Sequence, residues 1–424
     1  MNDGGDHGFA TRSLHVGGEP DPETGARAPP IQQTTSYEFG SSASAAARFR
    51  LETEDPIYSR FTNPTVGRLE RRIASLSGAP AAVCTASGMA AFDAATSLLA
   101  SAGDNVVVAE DGYGGTSTYL TTMASRRDVE TRTVDTLDPA AYADAADEDT
   151  AFVHCETIAN PSLVTPPLRE IADAAHDAGA PLFVDNTFAS PHLCRPVEHG
   201  ADLVWESTTK WLHGSGTTIG GVAVDGGSFP WREYSDRFPE IGGESPSYGL
   251  CFAERFPDRP FAAAVRYRAL RTMGATQSPF DAWVTLQGVE TLPLRMERHC
   301  ANALQVAEYL DDHPAVEWVA YPGLAGHETH DAATEYLDDY GGMVSIGLAD
   351  GYAAARDLCE NVELCSFLAN VGDAKTLVVH PASTTHSQLS EAEQRAAGVG
   401  PELVRISVGI EDPADICADL AEAL

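Results

Sequence analysis

Short apolar runs recur along the chain at Ala81–Cys84, Val106–Ala109, Ala151–His154, Pro181–Val184, Asp202–Trp205 and Gly221–Val224. Each has the length and composition of a buried strand. Helical spacing fills the intervals, as in Met89–Leu99 and Leu168–Ala178. Strand and helix alternating in this way predict an α/β fold with a mostly parallel sheet, whose function gathers at the carboxyl ends of the strands. Upstream, Asn63-Pro64, the spacing of Val66, Leu69, Ile73 and Leu76, and the stop at Gly78 mark one more helix. Downstream, helices are expected over Ala262–Met273 and Leu292–Asp311, the latter with Met296, Cys300, Ala303, Ala307 and Leu310 on one face. Val316–Ala320, Gly342–Ile346, Leu377–Val379 and Leu403–Val408 then predict the strands of a smaller α+β domain. The Gly-, Pro-, Ser- and Thr-rich start reads as an arm with short elements, of the kind that lies across a neighbouring subunit. The expected organisation is an arm over 1–60, a large α/β domain over 61–275 and a C-terminal domain over 276–424.

Charge narrows the range of partners. With 62 Asp+Glu against 27 Lys+Arg the formal net charge is −35, a field that repels nucleic acid and anionic membranes. The acids are spread along the chain and 43% of residues are hydrophobic, so this is acidity of a whole folded surface, as in halophilic cytosolic proteins, and not a disordered tail. A length of 424 residues exceeds what a single core of roughly 250–300 residues supports. The eight cysteines are scattered without a C-x-x-C pair, which points away from a metal site or a disulfide framework and towards a reducing compartment. No apolar run reaches the roughly 18 residues of a membrane span. A cytoplasmic location is expected.

Lysine occurs at only two positions, Lys210 and Lys375; all other basic side chains are arginine or histidine. Arginine cannot form an imine with an aldehyde cofactor, so a chain using that chemistry must keep a lysine. Lys210 lies in Glu206-Ser207-Thr208-Thr209-Lys210-Trp211, just past an apolar strand. There the hydroxyls of Ser207 and Thr209 suit a phosphate, although the segment alone also reads as a surface turn. Leu182-Phe183-Val184-Asp185 is an apolar strand closed by an acid that can pair with a pyridine nitrogen, or cap a helix. Cys84-Thr85-Ala86-Ser87-Gly88-Met89 joins a strand to a helix, so the amides of Gly88 and Met89 make an anion site or an ordinary capped start. Tyr113, between Gly112 and Gly114, can stack on a flat cofactor or sit half-buried in a turn. A dinucleotide fold is the competitor. Gly214-Ser215-Gly216-Thr217-Thr218-Ile219-Gly220 misses the required glycine spacing by one residue, and Glu233 and Asp236 close no apolar strand.

Together these features follow the order and spacing of the pyridoxal 5′-phosphate (PLP) enzymes of fold type I, and Tyr58-Ser59-Arg60-Phe61-Thr62-Asn63-Pro64-Thr65 resembles a signature of the Cys/Met metabolism family among them. The resemblance covers nearly the whole chain. It implies a Schiff base of PLP on Lys210, Tyr113 stacked on the ring and assisting proton transfer, and Tyr58 and Arg60 reaching the phosphate in an adjacent subunit of a homo-oligomer, expected to be a tetramer. Asn160 is implied to bind the cofactor or the substrate carboxylate, and Arg405, in Leu403-Val404-Arg405-Ile406, to grip that carboxylate with its guanidinium fork. Gln287-Gly288-Val289-Glu290-Thr291-Leu292 and Glu156-Thr157-Ile158-Ala159-Asn160-Pro161 look like the O-acetylhomoserine sulfhydrylase branch. So does Asn370-Val371-Gly372-Asp373-Ala374-Lys375, with Asn370 at the substrate and Lys375 in a loop. That branch converts O-acetylhomoserine and sulfide to homocysteine and acetate; cystathionine γ-synthases and γ-lyases are the alternatives. Glu206, Thr208, His213, Ser215 and Gln32 depart from the family pattern, with consequences expected only for the shape of the pocket mouth.

Overall fold

Seven strands form the larger sheet: β1 (Ala81–Thr85), β2 (Asn105–Ala109), β3 (Glu130–Val134), β4 (Thr150–Glu156), β5 (Leu182–Asp185), β6 (Leu203–Glu206) and β7 (Gly221–Asp225). The computed structural model describes residues 7–396 and 398–424. The spatial order is β1-β7-β6-β5-β4-β2-β3. β7 runs antiparallel to β1 and β6, and the remaining neighbours pair in parallel. Both faces are covered, which explains the unbroken apolar runs. Every residue of β4 is buried; Val153 and Cys155 join one core and Phe152 the other.

β3 escaped the sequence reading. Its Glu-Thr-Arg-Thr-Val segment is half-exposed at the sheet edge, so it carries no apolar run. The expected helix over Ala262–Met273 is helical from Pro260, with a π-helical stretch at Val265–Leu270. In the arm, the Ser- and Ala-rich segment Ser42–Phe49 forms a helix, whose cap Ser41 accepts the Ser44 amide at 3.1 Å.

A two-residue hairpin, β8 (Glu244–Ser245) and β9 (Leu250–Cys251), precedes the second sheet of β10 (Val316–Ala320), β11 (Met343–Leu348), β12 (Ser366–Phe367), β13 (Leu377–Val379) and β14 (Leu403–Ser407). Its order is β10-β11-β14-β13-β12. The helix Leu292–Asp311 links the two bodies. Leu292, Met296 and Cys300 pack into the core of the large sheet, whereas Ala303, Val306, Ala307 and Leu310 pack into that of the small one. The face read from the sequence is therefore a continuous apolar stripe serving two cores in succession.

Candidate active site

The large sheet aims its strand ends at one place. β4 ends in Glu156, β5 in Asp185 and β6 in Glu206, followed by Ser207. These carboxyl ends open on a cavity of about 970 Å³ that Lys210 and Thr209 also line. Gly88 and Met89 enter it from the first turn of the helix Gly88–Leu99, where amides have no intrahelical acceptor. Ser87 caps that helix by accepting the Ala90 amide at 3.1 Å, a bond that does not use the Gly88 and Met89 amides. Glycine is demanded at 88: an added Cβ would lie 2.9 Å from Ser207 Cβ and 3.1 Å from Trp205 Cζ3. The second sheet closes the cavity with Arg405 from β14 and with Asn370 from the loop before β13.

Polar contacts cross between the two bodies. Lys210 Nζ donates to Asn370 Oδ1 at 2.6 Å, and Arg405 Nη1 donates to Asn160 Oδ1 at 2.6 Å. Burial, aided by the nearby Arg405 charge, lowers the Lys210 ammonium to about 8, which leaves a substantial neutral, nucleophilic fraction at physiological pH. Burial lowers Arg405 to about 10. Asp185 is pushed up to about 7 by burial, against the Thr187 amide, which it accepts at 2.9 Å. Desolvation is the cause of that rise, and a carboxylate so placed is able to pair with a protonated ring nitrogen. Glu206 is pushed up to about 8 by burial while accepting from Asn186 Nδ2 at 3.0 Å.

Tyr113 and Asn160 line the same cavity. Tyr58 and Arg60 do not: both are exposed, with the Arg60 guanidinium 5.3 Å from the Tyr58 ring centre. Thr209 Oγ1 is engaged with Gly220, donating to its carbonyl at 3.2 Å and accepting its amide at 3.1 Å. None of the departures at Gln32, Glu206, Thr208, His213 and Ser215 lines this chain's cavity. His213 Nε2 lies 2.7 Å from Thr217 Oγ1 and 2.8 Å from Ser215 Oγ, in a cluster of its own. Glu156 and His386 line the cavity without having been singled out as site residues. For Glu156 a signal existed, since like Asp185 it is an acid closing an apolar strand.

An amine, a buried carboxylate, a helix start cleared by glycine and an exposed aromatic side chain fit a phosphorylated pyridine aldehyde. The model of the "Cys/Met metabolism PLP-dependent enzyme" family matches residues 10–424. This chain belongs to that family. Like its relatives, this Cys/Met metabolism enzyme depends on PLP. Homocysteine synthase of Schizosaccharomyces pombe is 47% identical over 98% of both chains. O-acetyl-L-homoserine sulfhydrylase 1 of Thermus thermophilus is 46% identical, over 98% of this chain and 99% of its own. A solved Campylobacter jejuni protein, described as an O-acetylhomoserine (thiol)-lyase and carrying N′-pyridoxyl-lysine-5′-monophosphate, superposes with a TM-score of 0.93 at 36% identity, over 98% of this chain and 99% of that one. Among the described residues no group of three or more His, Cys, Asp or Glu is arranged for a metal, and no helix is long and apolar enough to cross a membrane.

Proposed function

We propose that this enzyme converts O-acetylhomoserine and sulfide to homocysteine and acetate by replacement at the substrate γ-carbon. The observation that carries the reading is the meeting of Lys210 with Asn370 and of Arg405 with Asn160 in one cavity. A nucleophilic amine there stands beside a carboxylate clamp, and similar relatives include a homocysteine synthase and a sulfhydrylase.

When bound, PLP supplies the aldehyde that captures an amine and the ring that stores the electron pair released at the substrate α-carbon. Asp185 would hold the ring nitrogen. The amides of Gly88 and Met89, with Ser207, would hold the phosphate, and Thr209 would join them by turning its hydroxyl from the Gly220 carbonyl. Arg405 and Asn160 fix the substrate carboxylate, and Asn370 lies beside both the lysine and the substrate. Lys210 would remove the α-proton and then move a proton at the β-carbon, which lets acetate depart from the γ-carbon. Sulfide would add where acetate left, and Lys210 would return the protons. Tyr113 would face the cofactor ring and assist proton transfer. Tyr58 and Arg60, exposed outside this chain's own cavity, serve the phosphate of a second copy, with arm 1–60 lying across that copy. The assembly we favour is a cytoplasmic homotetramer, with domains at 61–275 and 276–424 and an acidic surface adapted to high salt.

Incubation of the holoenzyme with O-acetylhomoserine and either sulfide or cysteine, and separately with methionine, tests the reading. Homocysteine from sulfide is the expected product. Cystathionine from cysteine alone, or 2-oxobutyrate from methionine alone, would replace it with a γ-synthase or γ-lyase assignment.

A further inference from the structure

The buried Glu156 carboxylate meets two loops that enter the cavity from different strands. One oxygen accepts the backbone amide of Tyr113, and the other accepts that of Asn160 at 3.1 Å. Glu156 is 4% exposed and stands in register with Asp185 across β4 and β5. The approach from the Tyr113 side is close: a Cβ added at Gly112 would lie 3.2 Å from Glu156 Oε1. On the other side, the residue whose amide it holds is the one whose side-chain oxygen accepts from Arg405 at 2.6 Å. One carboxylate thus holds the backbone of a residue that lines the cavity and the backbone of the residue that pairs with an arginine.

We propose that Glu156 is a positioning residue that fixes the Tyr113 ring over the cofactor and the Asn160–Arg405 pair around the substrate carboxylate as one unit. This rests on the reading of Tyr113 and Arg405 given above. Its chemistry requires two acceptor oxygens on one rigid plane. Glutamine keeps the shape but presents an NH2 group to one of the two amide donors, so one contact turns repulsive. Alanine removes both. Burial and the neighbouring Asp185 push the Glu156 carboxyl well up, while the two amides pull it down. The amide contacts offset only part of that rise, and their role here is to hold two backbone segments to one carboxyl group.

The test compares holoenzymes of wild type, Glu156→Gln, Glu156→Ala and Arg405→Leu. Four quantities are read: KM for O-acetylhomoserine, the inhibition constant of butyrate as a carboxylate probe, the visible circular dichroism of bound PLP, and Tm. In Glu156→Gln, KM and the butyrate constant are expected to rise together by about tenfold, the upper scale of one lost hydrogen bond. The dichroism band changes with the Tyr113 ring, and Glu156→Ala goes further in the same direction. A Glu156→Gln holoenzyme with wild-type KM, butyrate constant and dichroism overturns the proposal, whether or not its Tm falls. Arg405→Leu separates the levels. An unchanged butyrate constant there overturns the reading of Arg405 itself; a raised one there, with no change in Glu156→Gln, overturns only the role of Glu156.

Discussion

Gly88→Ala adds a single carbon at the tightest point of the proposed phosphate site. That carbon would lie 2.9 Å from Ser207 Cβ, 3.1 Å from Ser207 Cα and 3.1 Å from Trp205 Cζ3, whereas carbon atoms rest at about 3.5–4.0 Å. Neither neighbour is a mobile tip. The Ser207 amide donates to Thr187 Oγ1 at 2.9 Å, and Trp205 Nε1 donates to His154 Nε2 at 3.1 Å. Overpacking of this kind costs about 1–3 kcal/mol, and the better helix propensity of alanine returns at most about 1 kcal/mol. The clash therefore wins. Its relief moves either the Gly88 amide or Ser207, both assigned to the phosphate, so the loss falls on cofactor affinity. The middle of that cost range, about 2 kcal/mol, less the full alanine gain of about 1 kcal/mol leaves about 1 kcal/mol, a roughly 5-fold higher dissociation constant for PLP. Equilibrium dialysis of the apoenzyme against PLP measures it, with Tm recorded in parallel. A dissociation constant within about twofold of wild type would refute the placement of the phosphate at this helix start.

Lys210→Ala is expected to abolish turnover, with Lys375→Ala retaining it; a Lys210→Ala enzyme with wild-type rates would end the assignment, and the sulfide assay decides. Arg405→Leu should lower kcat/KM for O-acetylhomoserine by roughly 30-fold to several-thousand-fold, from the loss of one partner of a buried charge pair worth about 2–5 kcal/mol; steady-state kinetics measure this. His154, lowered to about 3 by burial, stays neutral in the folded chain while its unfolded counterpart takes a proton below about 6.5. Its contribution is thus whole above about 6.5 and lost as pH falls towards 3, at up to about 1.4 kcal/mol per pH unit. His154→Gln keeps an acceptor for Trp205, so its Tm should fall less steeply than that of wild type between pH 6.5 and 5. Equal slopes in thermal melts would contradict the neutral assignment.

How much was legible depended on how local each cause was. Strands β4, β5 and β6 could be read because burial on both faces leaves a continuous apolar run; β3, at the edge, left none. The acid at the end of β5 stood out beside such a run, but Glu156 passed as one letter of a branch motif. Its consequence depends on the pairing of β4 with β5 and on two loop amides, which no period along one strand encodes. Arg405 was identifiable by type and setting, yet its partner Asn160 lies 245 residues away, and Lys210 meets Asn370 across 160. Closure of one body on the other makes those contacts. The same closure gives the second lysine its setting. Lys375 lines no part of the cavity, but its loop does have a place there: a Cβ added at Gly372 would lie 2.7 Å from the Trp211 amide and 2.9 Å from the Lys210 carbonyl carbon. The Gly372 amide donates to Ser407 Oγ at 2.9 Å, and the Ala374 amide donates to the Gly214 carbonyl at 3.0 Å. A segment that first served to mark a branch of the family therefore buttresses the backbone of Lys210 from behind. Its glycine, at φ +75°, is explained by that contact and not by any chemistry of Lys375.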